Sequence, residues 1–388
     1  MRYISRQIEA IIKRSSRTFK VVFLGGPRQV GKTTVLKKLA EKNKFTYLSL
    51  DDLNQRELAK SDSALFLQQL KLPAIIDEVQ YAPQLFPQIK RIVDEKESNG
   101  QLWLTGSQQF GLIKNIQESL AGRVAILNML GLSRSEITPM PDKPNLDTLF
   151  ADIFTGSFPV FQAKDPPDRD IYFNSYIQTY LDRDLADIFG INKMPEFNRF
   201  IQICAARTGQ VLNTSDLARD SGISPTTAIE WLGILESTMQ IYLLKPFYPN
   251  LTKRIIKSPK LYFLDTGLAT YLAKWNTKES LQAGSMAGAI YETYIIGEML
   301  KSYINRGKPA PFYYLRDKEG HEVDLVIEDN GLHLVEIKLS AAVKEDQYHN
   351  LAYFASKSDK IASKTIISLV DKAITVSNGV KFIPYTEI

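Results

Sequence analysis

Gly26-Pro27-Arg28-Gln29-Val30-Gly31-Lys32-Thr33-Thr34 is the stretch of this 388-residue chain whose residue types and spacing most plainly do chemistry. Glycines at 26 and 31 let backbone N–H groups turn inward around phosphates, and the start of a following helix adds its partial positive charge. Lys32 reaches the β/γ-phosphates, and the Thr33 hydroxyl is suited to magnesium. Downstream, Pro73-Ala74-Ile75-Ile76-Asp77-Glu78 is a short apolar run ending in two carboxylates. Asp77 would hold magnesium through water, and Glu78 is placed to orient or deprotonate an attacking water, the role that separates a hydrolase from a passive nucleotide binder. The bland alternative is an acidic strand end at the surface. Leu102-Trp103-Leu104 runs into Thr105-Gly106-Ser107-Gln108, where Ser107 could contact the γ-phosphate or the water, or simply help to form a turn. ATP and magnesium are the ligands this grouping calls for.

Such residues need a rigid frame. Lys20 to Leu24 reads as a strand before the loop and Thr33 to Ala40 as the helix after it. With Phe45 to Leu50, the Asp-Glu strand, the Trp103 strand and Val124 to Leu130, five strands alternate with helical segments. That alternation predicts a parallel α/β sheet. Hydrophobic residues at 44% and charged residues at 23% are ordinary globular values, and the length calls for two or three domains. No apolar stretch has the length of a signal or a membrane span, so the expectation is a cytoplasmic protein without membrane contact. One cysteine, Cys204, excludes an internal disulfide, and with three histidines it leaves little for a soft metal. The net charge of +5 permits nucleic-acid contact without requiring it.

Loop, Asp-Glu strand end and polar strand end, in that order on strands one, three and four, resemble the AAA+ ATPases. More narrowly, the loop together with Ser119-Leu120-Ala121-Gly122-Arg123 and Thr155-Gly156-Ser157-Phe158-Pro159 resembles a prokaryotic AAA+ family whose members carry a carboxy-terminal domain of unknown function. The resemblance implies that Arg123, just before strand five, projects into a neighbouring subunit's ATP site as an arginine finger, and hence a homo-oligomer. A solvated arginine at a helix end is the alternative. Gly156-Ser157-Phe158-Pro159 is similar to the glycine-proline element of AAA+ lids, although Gly and Pro also make ordinary turns.

Composition shifts at Asp165-Pro166-Pro167-Asp168, which suggests an ATPase domain with the start of its lid at 1–164, a helical domain at 165–275 and a last domain at 276–388. Tyr172 to Phe189, Pro195 to Ala206, Thr214 to Asp220 and Pro225 to Met239 read as helices, with a tight turn at Ser221-Gly222 and a helix start at Ser224-Pro225. Followed by the extended run Ile241 to Leu244 and a hairpin-like Lys253 to Phe263, these suggest a winged helix-turn-helix, which the resemblance supports. The would-be recognition helix has Glu230 and Glu236 and no base. Basic charge lies in the wing, where Lys253, Arg254, Lys257 and Lys260 could grip nucleic-acid phosphates, form a solvated face or meet an acidic partner.

In the last domain a helix (Met286 to Tyr303), three strands (Phe312 to Leu315, Glu322 to Glu328, Leu332 to Leu339), a helix (Lys344 to Ala355) and a strand (Thr365 to Val370) follow the core order of restriction-endonuclease-like folds. Asp324 falls on the second strand, and strand period two puts Glu336 and Lys338 on one face of the third. This resembles the PD-(D/E)XK nuclease motif, with Val323 where a proline is usual. The resemblance implies Asp324 and Glu336 as magnesium ligands, Lys338 as a positive charge near the attacked phosphate, and Glu292 as an extra acid. Phosphodiester cleavage needs such a hard cation and such a charge.

The leading expectation is a magnesium-dependent AAA+ ATPase coupled to a nuclease-like domain acting on nucleic acid. Its rival is an ATP-driven switch or scaffold whose winged-helix and nuclease-like parts bind without cleaving. Nothing after the loop resembles the small-substrate pocket of a metabolic kinase.

Overall fold

A computed structural model of the chain describes residues 3–41, 44–107, 110–137, 143–179, 190–248 and 258–388. These residues form two compact units, the first built on one sheet and the second on two. The first comprises Met1–Leu132, Ser237–Met239 and Ser302–Lys308; the second comprises Ser133–Glu236, Gln240–Lys301 and Pro309–Ile388. Among the described residues no helix is long and apolar enough to cross a membrane.

The first unit is built on strands β1 (Val21–Gly26), β2 (Thr46–Ser49), β3 (Ala74–Asp77), β4 (Leu102–Ser107) and β5 (Val124–Asn128), ordered β2-β3-β4-β1-β5. Every pairing is parallel, as the alternation of strand and helix implies. Strands β1, β3 and β4 are buried throughout and read as continuous apolar runs, the signature of strands covered on both faces. Phe23, Ile76, Leu104, Phe86 and Ile116 pack in one core that fixes the height of each strand. Because β1 lies between β4 and β5, its carboxyl end opens at the crevice where α/β sheets bind their ligands.

In the second unit the helices Met194–Ala206, Thr214–Ser221 and Pro225–Ser237 accompany a small antiparallel sheet whose first strand falls between the first two of them. Its strands are β6 (Gln210–Val211), β7 (Ile241–Leu244) and β8 (Lys260–Phe263), with β8 in the middle. Local chemistry sets the helix ends. Asn213 accepts from the N–H groups of Ser215 and Asp216, Gly222 closes that helix at φ 76°, and Ser224 Oγ accepts from Thr227 N at the next. Trp231 meets Phe197 and Phe200 edge-on at 5.1 and 5.5 Å and ties the helices together.

A six-stranded sheet follows, ordered β13-β14-β12-β11-β10-β9. Its members are β9 (Phe312–Arg316), β10 (Glu322–Glu328), β11 (Leu332–Ile337), β12 (Ile361–Ser368), β13 (Ile374–Thr375) and β14 (Lys381–Pro384). The helix Ala287–Asn305 precedes it and the short helix His349–Ala355 lies between β11 and β12, so helix, three strands, helix and strand occur in the anticipated order. Two differences are physical. Strand β11 stops at Ile337, where Ser340 N turns back to Lys338 O at 2.8 Å, yet Lys338 N still donates to Ile367 O at 2.9 Å. The helix anticipated from Lys344 starts only at His349, after a single 3-10 turn at Glu345–Gln347.

Candidate functional site

At the loop after β1 the backbone takes left-handed values at Gly26 (φ 148°), Gln29 (φ 63°) and Gly31 (φ 94°). Gly26 allows no side chain, because a Cβ there would stand 2.1 Å from Met129 O. The helix Lys32–Ala40 starts with no side-chain cap and no acid in its first turn, which leaves its first N–H groups and its partial positive charge available to an anion. Lys32 Nζ donates to Gly26 O at 3.0 Å and Pro27 O at 2.7 Å, so the loop's own carbonyls hold the ammonium inside it. Burial lowers the Lys32 pKa to about 8 despite the nearby Glu78 and Asp77 carboxylates.

The carboxyl ends of β3 and β4 bring further groups beside the loop. Thr33 Oγ1 lies 2.9 Å from both oxygens of Asp77, a hydroxyl and a carboxylate side by side as a hard divalent ion requires. Asp77 also accepts from Tyr47 OH at 2.8 Å and from Thr105 Oγ1. Burial, with Asp77 as acceptor, holds the Tyr47 phenol protonated far above its ordinary range. Glu78 stands in the left-handed region at φ 59°, a conformation that costs a side-chain-bearing residue ~1–3 kcal/mol. Its N–H donates to Thr105 Oγ1 at 3.3 Å and its carboxylate accepts from Gln80 Nε2. Ser107 pairs in register with Gly26, and its buried Oγ has no hydrogen-bond partner among the described residues. Uncapped helix start, left-handed loop, paired oxygen donors and orphan hydroxyl together fit a nucleoside triphosphate with magnesium.

Arg123 is at the other end of the sheet, before β5, and its O accepts from Val21 N. Strand rise of about 3.3 Å per residue puts the length of β1 between it and the loop, so Arg123 does not serve the loop of its own chain. Its guanidinium is partly exposed and pairs with Asp94 through Nε at 2.5 Å and Nη2 at 2.9 Å. The Gly156-Ser157 element has a structural partner. Asp265 Oδ2 accepts from Ser157 N and Ser157 Oγ, each at 2.7 Å, while Oδ1 caps the helix Thr266–Leu272 through Leu268 N at 2.7 Å. A Cβ on Gly156 would lie 2.5 Å from that carboxylate.

A second constellation lies on the six-stranded sheet. Asp324 on β10 is one step beyond the Leu325↔Val335 pair, which sets it opposite Glu336 on β11. Lys338 Nζ reaches Glu336 Oε2 at 2.5 Å and Asp324 Oδ2 at 3.5 Å, and Ile337 N donates to Asp324 Oδ2 at 2.9 Å. Glu292 comes from the helix Ala287–Asn305 and accepts from Tyr262 OH at 2.5 Å. Burial and the facing Asp324 carboxylate push Glu336 up to about 9 and Glu292 up to about 7. Burial pushes Asp324 upward too, but Lys338, Lys260 and the Ile337 N–H outweigh it and hold its pKa below the ordinary carboxylate value. Glu336 Oε1 is buried without a partner among the described residues. The structure thus brings Asp324, Glu336 and Lys338 into contact, whereas Glu292 is joined to Asp324 through the Lys260 ammonium that lies between them.

Lys260 needs a correction. Grouped by sequence with the surface cations of the wing, it is instead 3% exposed and ion-paired with Glu322, Glu292 and Asp324. Strand alternation explains this, because Lys260 and Tyr262 share the face of β8 that meets Glu292. Lys253, Arg254 and Lys257 lie outside the described residues. Sequence reasoning also missed Tyr47 and Arg6. Arg6 is buried and donates to Val30 O at 3.0 Å, Leu130 O at 2.8 Å and Gly131 O at 3.0 Å, bracing the phosphate loop from behind.

A parallel five-stranded sheet with this loop defines an ATP-binding AAA-type ATPase domain, and an AAA domain model matches residues 18–138. Models described as domains of unknown function, DUF8612 and DUF4143, match 146–279 and 287–388. The uncharacterized proteins Rv2008c of Mycobacterium tuberculosis and Mb2031c of Mycobacterium bovis are each 31% identical over 328 residues, which is 84% of this chain and 71% of theirs. The chain belongs to their family. Among solved structures it is similar to the Walker-type ATPase PABY2304 of Pyrococcus abyssi (TM-score 0.44, 15% identity, 70% of this chain and 96% of that one). It is also similar to the RuvB Holliday junction branch migration motor of Thermotoga maritima (TM-score 0.28, 17% identity, 61% and 88%).

Proposed function

We propose that the chain is a magnesium-dependent ATP hydrolase whose carboxy-terminal sheet forms a divalent-cation site for a nucleic-acid phosphodiester. We keep the three-part division at 1–164, 165–275 and 276–388, with a winged helix in the middle and a restriction-endonuclease-like last domain. The observation that supports the first part is the meeting of Thr33, Asp77, Glu78 and Ser107 beside the loop. Bound magnesium would supply charge neutralisation between phosphate oxygens. Gly26 to Thr34 would hold the phosphates and Lys32 would offset their charge. Thr33 and Asp77 would hold the ion, Glu78 would take a proton from water at its carboxylate, and Ser107 would donate from the end of β4. In the second part, Asp324, Glu336 and Glu292 would be the oxygen ligands and Lys338 the cation near the phosphate.

A scaffold that binds without cleaving is the second reading, and two observations favour it. The helix Pro225–Ser237 has no basic residue in its first or last turn, and Lys260 already neutralises part of the carboxylate cluster. The discriminating experiment incubates wild type, Lys32→Ala and Asp324→Asn with labelled single- and double-stranded DNA and RNA, with magnesium or manganese, with and without ATP. Cleavage by wild type that disappears in Asp324→Asn is the expected result. Cleavage persisting in Asp324→Asn marks a contaminant, and binding without cleavage leaves the scaffold.

Arg123 gives a separate test of assembly. As a finger acting in trans it should leave nucleotide affinity nearly unchanged, so Arg123→Ala lowers kcat alone, and wild-type turnover per chain rises with protein concentration. A concentration-independent rate in a protein that stays monomeric with ATP refutes the trans role and leaves Arg123 as the partner of Asp94.

A further inference from the structure

The carboxylate cluster of the second unit already contains a cation. Lys260 Nζ lies 2.5 Å from Glu322 Oε1, 3.1 Å from Glu292 Oε1 and 3.7 Å from Asp324 Oδ1. Burial alone would lower its pKa, yet these three carboxylates hold it above the ordinary lysine value. Lys338 does not share the position. It pairs with the other oxygen of Asp324 and with Glu336, and it is partly exposed where Lys260 is not. Asp324 therefore divides its two oxygens between two ammonium groups.

Lys260 is held there by backbone. Strand β8 is the middle of its sheet, and Lys260 is paired with Val211 on one side and Leu244 on the other. Tyr262, two residues on and on the same face, donates to the same Glu292 oxygen. The two sheets are joined as well: Phe247 N donates to Tyr314 O at 2.6 Å and Tyr314 N to Lys245 O at 3.0 Å, while Tyr314 OH donates to Ser258 O at 2.6 Å. Meanwhile the buried carboxyl of Glu336 faces Asp324 and interacts with it as well as with Lys338.

We propose that Lys260 is the resident cation of this cluster, and that a divalent ion binds Glu292 and Asp324 only in competition with its ammonium group. The proposal rests on the reading of Asp324, Glu336 and Glu292 as metal ligands. Two like charges about 4 Å apart in a buried site repel by several kcal/mol, so ammonium and metal exclude each other there. The middle sheet thereby controls the site on the neighbouring sheet, which is loaded only when β8 gives up the position of Lys260. The same contact keeps the three carboxylates of Glu292, Glu322 and Asp324 from facing one another uncompensated, which is a folding role for the lysine while the metal is absent.

The test is manganese binding by the full chain without nucleotide, read by electron paramagnetic resonance and by calorimetry, with Asp324→Asn as the background from all other sites. Lys260→Met keeps the stem's bulk and removes the charge; Lys260→Met combined with Glu322→Gln restores charge balance should the single variant fold poorly. The expected result is Asp324-dependent manganese affinity at least about tenfold tighter in a Lys260 variant than in wild type, the factor that corresponds to ~1.4 kcal/mol. Equal affinity in wild type and both Lys260 variants, lost in Asp324→Asn, overturns the resident-cation role while the metal site stands. No Asp324-dependent manganese in any of these proteins overturns both.

Discussion

Lys32→Ala should lose nucleotide binding by about a hundredfold or more, whereas Glu78→Gln should bind nucleotide like wild type and turn it over on the order of 10²–10⁴-fold more slowly. The two residues differ in what they can touch. Lys32 is inside the loop, held by the carbonyls of Gly26 and Pro27, where its charge meets the phosphates in the ground state and in the transition state alike. Glu78 is turned out of the end of β3 in a left-handed conformation, beside Thr105 and Gln80, and its amide isostere keeps the shape while losing the basic oxygen. Binding is measured by calorimetry with a slowly hydrolysed ATP analogue, and turnover by phosphate release. Equal phosphate release by Glu78→Gln and wild type would remove Glu78 from the role of base.

Asp265→Ala should destabilise the second unit by about 3 kcal/mol, from the lost cap of the helix Thr266–Leu272 (~1 kcal/mol) and the Ser157 N–H and hydroxyl left buried without an acceptor (~1–3 kcal/mol). For a unit of this size that corresponds to a melting transition lower by roughly 6–12 °C. Ser157→Ala removes only one of the donors and should cost about 1 kcal/mol. In the double variant the effect of Ser157→Ala should largely vanish, since its acceptor has gone. Melting curves of the three variants decide it. A loss under about 1 kcal/mol for Asp265→Ala would mean that the clamp is satisfied by water instead.

The phosphate loop was legible because all its determinants lie within nine consecutive residues, and the flanking strand and helix announce themselves by apolar pattern. Asp77 and Ser107 were legible for a related reason: each ends an apolar strand, and parallel strands of one sheet deliver their carboxyl ends to one crevice. Tyr47 was not, because its meeting with Asp77 depends on β2 lying next to β3 rather than next to β1, a fact of strand order that no local pattern encodes. Glu336 and Lys338 shared a face by strand period alone, and Asp324 joined them through the register of β10 on β11. Lys260 was misread because it sits near Lys253, Arg254 and Lys257 in sequence, and a basic run ordinarily means a solvated surface. Its burial follows from the contact of β8 with Glu292, 32 residues away.

Arg6 draws a different boundary around the ATP module from the one that similarity draws. The AAA match begins at residue 18, downstream of Arg6 and of most of the helix Glu9–Thr18 that follows it. A chain shortened to that point would keep every residue with a nameable part in nucleotide chemistry and would still lose the guanidinium that gathers the carbonyls of Val30, Leu130 and Gly131. Three buried acceptors would then seek water behind the loop. The smallest portable version of this module therefore starts no later than Arg6, and grafts or excisions cut at the conventional edge would inherit the motif without its brace.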